Sequence, residues 1–268
     1  MKKFEGMILA CDMDGTLLDS NHRISPKNQQ ALDYFVEEGG RFTLATGRTF
    51  RAIKQYIPHL PFNAPYSLLN GSLIRNENHQ VLYCAGMPES TIDLIQLTLS
   101  EFSQLGCEIY SAEQVLVRQI SNFTKRHMEL IDVEYSMVSQ EDLDDPATWC
   151  KINFTGEPKR MLQVKKFLQP YGDEFYMASS MPSFLEITAA GISKGTALQY
   201  IAKKCDIAEN RIFAIGDSFN DQTMLETAYI GFAPANAEEE IRRIADVVVS
   251  SNDNDAVAEA IKYLEAHL

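Results

Sequence analysis

Asp12 and Asp14 lie one residue apart in Asp12-Met13-Asp14-Gly15-Thr16-Leu17-Leu18, which follows directly on the apolar run of residues 7–11. An acid that ends a strand of an open parallel sheet stands where such sheets gather ligands, at the carboxyl ends of the strands. Two acids this close in a turn repel one another unless a cation lies beside them. The Asp12 carboxylate and the Asp14 carbonyl both offer the oxygen that a hard divalent ion takes. Asp142/Asp144 and Asp253/Asp255 repeat the spacing. Neither pair follows a buried strand and leads into Gly-Thr, so both read as solvated loops.

Three further stretches carry related chemistry. Thr46, Gly47 and Arg48 follow the strand-like run 42–45, where a hydroxyl and the free amides of a helix start make a phosphate cradle. Ser193-Lys194-Gly195 sets one lysine at the entrance of an amphipathic helix, and Gly216-Asp217-Ser218-Phe219-Asn220-Asp221 places two more acids after the apolar run 212–215. Taken singly, each has an ordinary reading as a helix start, a surface charge or a turn. Acid pair, hydroxyl, lysine and acid pair in that order are hard to explain as packing, and they suit the charge management of phosphoryl transfer.

The elements that must position these groups alternate. Strand-like runs at 7–11, 41–45 and 67–69 are separated by helical patterns at 26–38 and 48–57. The last third repeats the rhythm, with helices at 195–204, 221–227, 237–244 and 256–267 between strands at 211–215, 230–232 and 247–249. Strands spaced by helices imply right-handed crossovers and a parallel sheet covered on both faces. Between residues 86 and 187 the pattern changes. A helix at 88–105 gives way to closely spaced strands at 108–110 and 115–117, then 152–154, a helix at 158–168, and strands at 175–178 and 184–187. The expected fold class is therefore α/β, a Rossmann-like parallel-sheet core (residues 1–85 and 188–268) with an inserted α+β cap (residues 86–187).

Composition narrows the function. The 268 residues suit one or two domains, and 45% hydrophobic with 23% charged residues is ordinary for a folded chain. No apolar run approaches the length of a membrane span. A net charge of −13 opposes binding to nucleic acid or anionic membranes. Five cysteines, with no secretion signal visible at the start, suggest reduced thiols and a cytoplasmic location. The five histidines show no metal-ligand spacing. Cys205 and Arg211 have the separation used by thiolate phosphatases but lack a glycine-rich loop, and Cys205 belongs to a helix. Trp149 reads as a packing residue of the cap or its boundary, or as a substrate contact, and Cys11 as a core thiol.

The four motifs, in order from Asp12 to Asp221, resemble those of the haloacid dehalogenase superfamily of aspartate-nucleophile phosphohydrolases. The long segment between the second and third motifs is similar to the large cap of its Cof-like branch, as are Asn70-Gly71 and Ser251-Asn252-Asp253. Pro234 and Ala256 depart from that branch's usual residues. The resemblance implies that Asp12 attacks phosphorus and that Asp14 protonates the leaving oxygen and then activates water. It implies Mg²⁺ held by Asp12, the Asp14 carbonyl and Asp217, with Asp221 as a ligand or as support for one. Thr46, the amides of Met13 and Gly47, Lys194 and Asn220 would hold the phosphoryl oxygens, and Arg48 either joins them or pairs with a surface acid. The implied activity is a Mg²⁺-dependent phosphatase of small phosphorylated metabolites. A phosphomutase is the alternative, but no segment suggests a device to exclude water. A non-enzymatic phospho-aspartate switch would need a shorter chain without the insertion. Neither the substrate nor the oligomeric state is written in these motifs.

Overall fold

The computed structural model describes residues 2–131, 133–143 and 145–267. The chain opens with β1 (Ile8–Cys11), α1 (Pro26–Glu37), β2 (Arg41–Leu44) and the short α2 (Phe50–Ile53), followed by β3 (Tyr66–Leu68), β4 (Leu73–Arg75) and β5 (Val81–Cys84). Its middle runs through α3 (Thr91–Glu101), β6 (Gly106–Ser111), β7 (Val115–Gln119), α4 (Asn122–Ile131), β8 (Tyr135–Met137), β9 (Trp149–Thr155), α5 (Pro158–Leu168), β10 (Phe175–Ala178) and β11 (Phe184–Ala189). The last third supplies α6 (Lys194–Lys204), β12 (Ile212–Ile215), α7 (Gln222–Thr227), β13 (Ile230–Pro234), α8 (Glu239–Ile244), β14 (Val247–Val249) and α9 (Ala256–His267).

Five strands pair in the order β14-β13-β12-β1-β2, all parallel. Strands buried on both faces are apolar throughout, as β1 and β12 are. Leu9, Cys11, Phe42, Leu44, Phe213 and Ile215 pack with Leu32 and Phe35 of α1 and with Val257 and Ile261 of α9. The intervening residues Ile8, Ala10, Ile212 and Ala214 pack with Leu198 and Ile201 of α6 and Met224 of α7 on the other face. The second sheet, β10-β11-β9-β6-β7-β8, is antiparallel except for its β7–β8 pair. Cys107, Ile109, Ile152, Phe154, Leu185 and Ile187 pack beneath Leu94 and Ile95 of α3 and Met161 and Val164 of α5. This is the expected α/β core with an α+β cap.

The structure corrects several local expectations. Residues 48–57 hold one α-helical turn rather than a helix, because past Ile53 the amides turn back to carbonyls nearer in sequence, Lys54 to Arg51 and Tyr56 to Ile53, and Pro58 follows. The third strand does not join the five-stranded sheet as a full member. It touches β2 at one bridge, between Ala45 and Ser67, and then pairs with β4 and β5 in a small antiparallel sheet absent from the sequence reading. Helix α4 and strand β8 were likewise absent from it, and the helix expected over 88–105 spans only Thr91–Glu101. Asp253 and Asp255 are not simply solvated, since they accept hydrogen bonds from Ser20, Ser25 and Lys27. Of the pair Asp142/Asp144, Asp144 lies outside the described residues, and Asp142 is exposed and bonded to Ser139. No helix among the described residues is long and apolar enough to cross a membrane.

Helix α6 starts on a reciprocal capping box, in which the Ser193 hydroxyl accepts from the Thr196 amide while Thr196 accepts from the Ser193 amide. Replacing Ser193 by Ala should cost about 1 kcal/mol in urea unfolding. An unchanged midpoint would show that this cap does not hold the helix start.

Candidate active site

Parallel pairing of β1 with β12 puts Cys11 opposite Ile215, so both chains leave the sheet at the same level. The Asp12 amide donates to the Ile215 carbonyl (3.0 Å), which fixes Asp12 beside the turn that carries Asp217 and Asp221. Pairing of Cys11 with Leu44 on the other side brings Thr46 and Gly47 to the same crest. Gly15 lets the first loop lie against the second. Its φ is +77°, and a Cβ there would stand 2.5 Å from the Asp217 carboxylate. At Gly71, φ is +99° and a Cβ would meet the Ser193 carbonyl at 2.2 Å, so the Asn70 turn packs directly on the start of α6.

Below the crest, the buried Lys194 ammonium donates to Asp12 (2.5 Å) and to Asp221 (2.6 Å). The second Asp221 oxygen accepts from the amides of Asp217 and Ser218, both at 3.0 Å. Asp217 accepts from the hydroxyls of Thr16 (2.7 Å) and Ser218 (3.0 Å). Two of three clustered carboxylates are thus bonded to one buried ammonium, and the third is held by hydroxyls. Burial, and then the charge of Asp221, push the Asp12 carboxyl far above the ordinary range and that of Asp217 up to about 7. Lys194 responds in the opposite sense, for although burial disfavours its charge, Asp12 and Asp221 hold its pKa above the usual lysine value.

Asp12, Asp217 and Asp221 can each offer a carboxylate oxygen within 4.8 Å of the others. An all-carboxylate set with unbalanced negative charge fits a hard divalent cation. Asp221 is already engaged by the lysine and two amides, which leaves Asp12 and Asp217 the freer donors. The Asp14 side chain lies outside this set. Its two oxygens accept from Arg48 at 2.6 and 2.7 Å, and half of the side chain is exposed.

The crest opens into a cavity of about 350 Å³. Asp12, Asp14, Thr46, Gly47, Asp217 and Asn220 line it, whereas Lys194, Asp221 and Met13 are buried outside its lining. Asn220 donates to Asn70 (3.2 Å), and its buried side-chain oxygen has no partner among the described residues. The opposite wall belongs to the second sheet, through Tyr110, Lys151, Asn153, Phe184 and Glu186, with His127 of α4. Lys151 donates to the Gly47 carbonyl (2.9 Å) and lies 3.5 Å from Glu186, which accepts in turn from Asn70 and Ser180. Burial alone would raise the Glu186 carboxyl, but Lys151 and these donors hold it below the usual range. Glu108, fully buried, accepts from Tyr110 (2.6 Å) and Asn153 (3.1 Å) and meets His127 Nδ1 at 2.9 Å.

These cap residues were not identified from the sequence. A signal for them exists, because Glu108 and Tyr110, Lys151 and Asn153, and Glu186 occupy every second position of strands whose other positions are apolar. Trp149 is buried in the cap cluster, Cys11 is buried in the core, and Cys205 is not among the cavity-lining residues.

A family model described as haloacid dehalogenase-like hydrolase matches residues 9–261. The phosphatase YwpJ of Bacillus subtilis is 27% identical over 282 residues, covering 96% of this chain and 99% of its own. The 5-amino-6-(5-phospho-D-ribitylamino)uracil phosphatase YcsE of the same organism is 26% identical over 257 residues, covering 96% and 94%. The crystal structure of a haloacid dehalogenase-like hydrolase from Bacteroides thetaiotaomicron superposes with a TM-score of 0.81 at 26% identity, covering 96% of this chain and 99% of that one. With its strand-end acids, parallel core and cap, the chain belongs to the haloacid dehalogenase-like hydrolase family, in its Cof-like branch, and is a phosphatase of phosphorylated substrates.

Proposed function

We propose that this phosphatase is Mg²⁺-dependent, acts on small phosphorylated metabolites such as sugar phosphates or cofactor phosphates, and passes through an aspartyl-phosphate on Asp12. The observation that carries the reading is the position of Asp12. It stands at the crest of the parallel sheet, is oriented by Lys194, and faces a cavity that the cap walls on the far side. Bound beside Asp12 and Asp217, a divalent cation supplies charge neutralisation, which lets an anionic carboxylate approach an anionic phosphate. Asp12 then forms the new bond to phosphorus while the bond to the leaving oxygen breaks. Thr46, the amides of Met13 and Gly47, Lys194 and Asn220 stabilise the phosphoryl oxygens, and Asn220 exchanges its donation to Asn70 for one to phosphate. Asp14 delivers a proton to the leaving oxygen and takes one from the attacking water. To do so it exchanges its contact with Arg48 for one with substrate, so Arg48 holds Asp14 until the site is filled.

Residues 86–187 serve in this reading as the cap that selects the leaving group. A polar side formed by Tyr110, His127 and Asn153 and an apolar side formed by Leu130, Ile131 and Phe184 suit a hydroxylated group with an apolar portion. The relative named for a phosphoribitylamino compound is a phosphatase of that chemical kind. A panel of phosphorylated metabolites tests the reading, because a phosphatase releases phosphate, a mutase yields an isomerised ester, and a switch only loses its own phosphate slowly.

Asp12→Asn should lower turnover by about 10³-fold or more, since the amide cannot attack phosphorus. It should not lower the melting temperature of metal-free protein, because burial and the neighbouring acids already disfavour the charged form of Asp12 and the substitution removes that penalty. Retention of more than a few per cent of activity would exclude Asp12 as nucleophile. Exhaustive chelation should abolish phosphate release, Mg²⁺ should restore it, and Ca²⁺ should restore it poorly, since Ca²⁺ accepts bidentate carboxylates at longer distances. Full activity after chelation would contradict the metal requirement.

A further inference from the structure

Cys84 and Cys150 meet where the chain passes between the two larger sheets. Cys84 ends β5 and Cys150 lies near the start of β9, and their Sγ atoms are 3.2 Å apart. Cys84 is exposed and Cys150 buried. A register shift between Tyr110 and Ser111 interrupts the alternation of β6 against β9. Cys150 consequently falls in the cluster that spans the parallel core and Tyr110, Val115, Met128 and Val133 of the inserted segment, not with Ile152 and Phe154. The surroundings hold the pair in place. The Ala85 amide donates to Ser72 (2.7 Å), and the Met87 amide is 3.0 Å from the carbonyls of both Pro146 and Trp149.

The chemistry around the pair differs from that of the other core thiols. Burial pushes the Cys11 and Cys107 thiols up, away from the reactive thiolate. The hydrogen bond between the two sulfurs draws the Cys84 thiol down, helped against some burial by the guanidinium of Arg75, while the same bond and burial push the Cys150 thiol up, so Cys84 is the member that ionises first. Arg75 belongs to the adjacent strand β4, is almost wholly buried, and is fixed by Glu113 and the His79 carbonyl. An exposed thiol beside a buried cation and a second cysteine is the environment of reactive rather than structural cysteines.

We propose that Cys84 and Cys150 are a redox-active dithiol, which a small-molecule disulfide of the glutathione class closes into a bond joining the core to the cap. The Cys84 thiolate attacks one sulfur of the reagent, forming a mixed disulfide and expelling one thiolate. Cys150 then attacks Cys84 Sγ, yields its proton to solvent and expels the second thiolate. The protein loses two electrons and two protons, and one reagent disulfide becomes two thiols. The bond spans 66 positions of sequence and lies at the crossing from core to cap, so it restrains the chain there and limits relative movement of the two parts.

The test uses the reduced full-length protein treated with oxidised glutathione and read by intact mass and by alkylation after denaturation. The mass should fall by two hydrogen atoms, two of the five thiols should be lost, and a Cys84–Cys150 peptide should appear. The melting temperature should rise by several degrees and return with dithiothreitol. C150S should instead retain glutathione on Cys84, whereas C84S should show neither bond nor adduct. Five free thiols after treatment, a lasting adduct on wild-type Cys84, a bond to another cysteine, or a lowered melting temperature would each overturn the proposal. On a phosphate ester that the reduced enzyme turns over, release should slow several-fold on oxidation and recover on reduction, and C84S should show no change. That last readout rests on the proposed function. The mass and thiol readouts do not, so the two can fail separately. Unchanged turnover in the verified disulfide form would overturn the restraint on cap movement.

Discussion

Three buried carboxylates around one buried ammonium set the terms for the rest of the structure. Asp12, Asp217 and Asp221 with Lys194 carry more negative charge than a dry interior accepts unaided. The surrounding chain offsets part of that cost through the two amides on Asp221 and the hydroxyls on Asp217. The remaining negative charge is of the sign and size that a hard divalent cation can neutralise. Sites of this kind trade stability for chemistry, and the strong upward push on the Asp12 carboxyl is the electrostatic trace of that trade.

The same cluster explains the close packing of otherwise separate loops. The Asp12 loop can approach Asp217 only because Gly15 carries no side chain, and the Asn70 turn can rest on Ser193 only because Gly71 carries none. Asn70 then meets both Asn220 and the cap's Glu186, while Lys151 reaches the Gly47 carbonyl. The proposed phosphate-holding loops are therefore bonded to the cap as well as to one another. In the proposed function, movement of the cap would break those contacts and so couple closure over a substrate to the alignment of Gly47 and Asn220. The buried pair Lys151–Glu186 lies wholly within the cap sheet and is costly if either partner is left alone, so it fixes the two side chains that reach Gly47 and Asn70.

The cap sheet divides its labour by face. One face is apolar and lies beneath α3 and α5, and the other presents Tyr110, Lys151, Asn153 and Glu186 to the cavity. A strand buried on both sides is ordinarily apolar throughout. Here β9 is buried along its whole length yet carries a lysine and an asparagine, because its second face covers a polar site. The exception at Cys150 arises from the register shift next to it, which turns that side chain toward Cys84.

The sequence by itself determined the alternating core, the inserted segment, and the acids, threonine and lysine at strand and helix ends. Those features depend on local patterns, namely apolar runs, helix starts and residue order. It could not show that residues 48–57 keep only one α-helical turn, because the tightening to bonds three residues apart after Ile53 leaves no mark on the apolar pattern. The three-residue strand β4 is too short to display a period. Asp14 was legible as a candidate site residue and lines the cavity, but its grip by Arg48 was not legible, since that contact depends on two loops meeting above neighbouring strands. The cap's polar face was written in alternate positions of three strands, yet nothing local says which side of a sheet will face another domain. Tertiary structure alone decided that Lys151 and Glu186 meet Gly47 and Asn70. These contacts join positions more than a hundred residues apart, and their geometry exists only when the cap sheet lies across the crest of the parallel core.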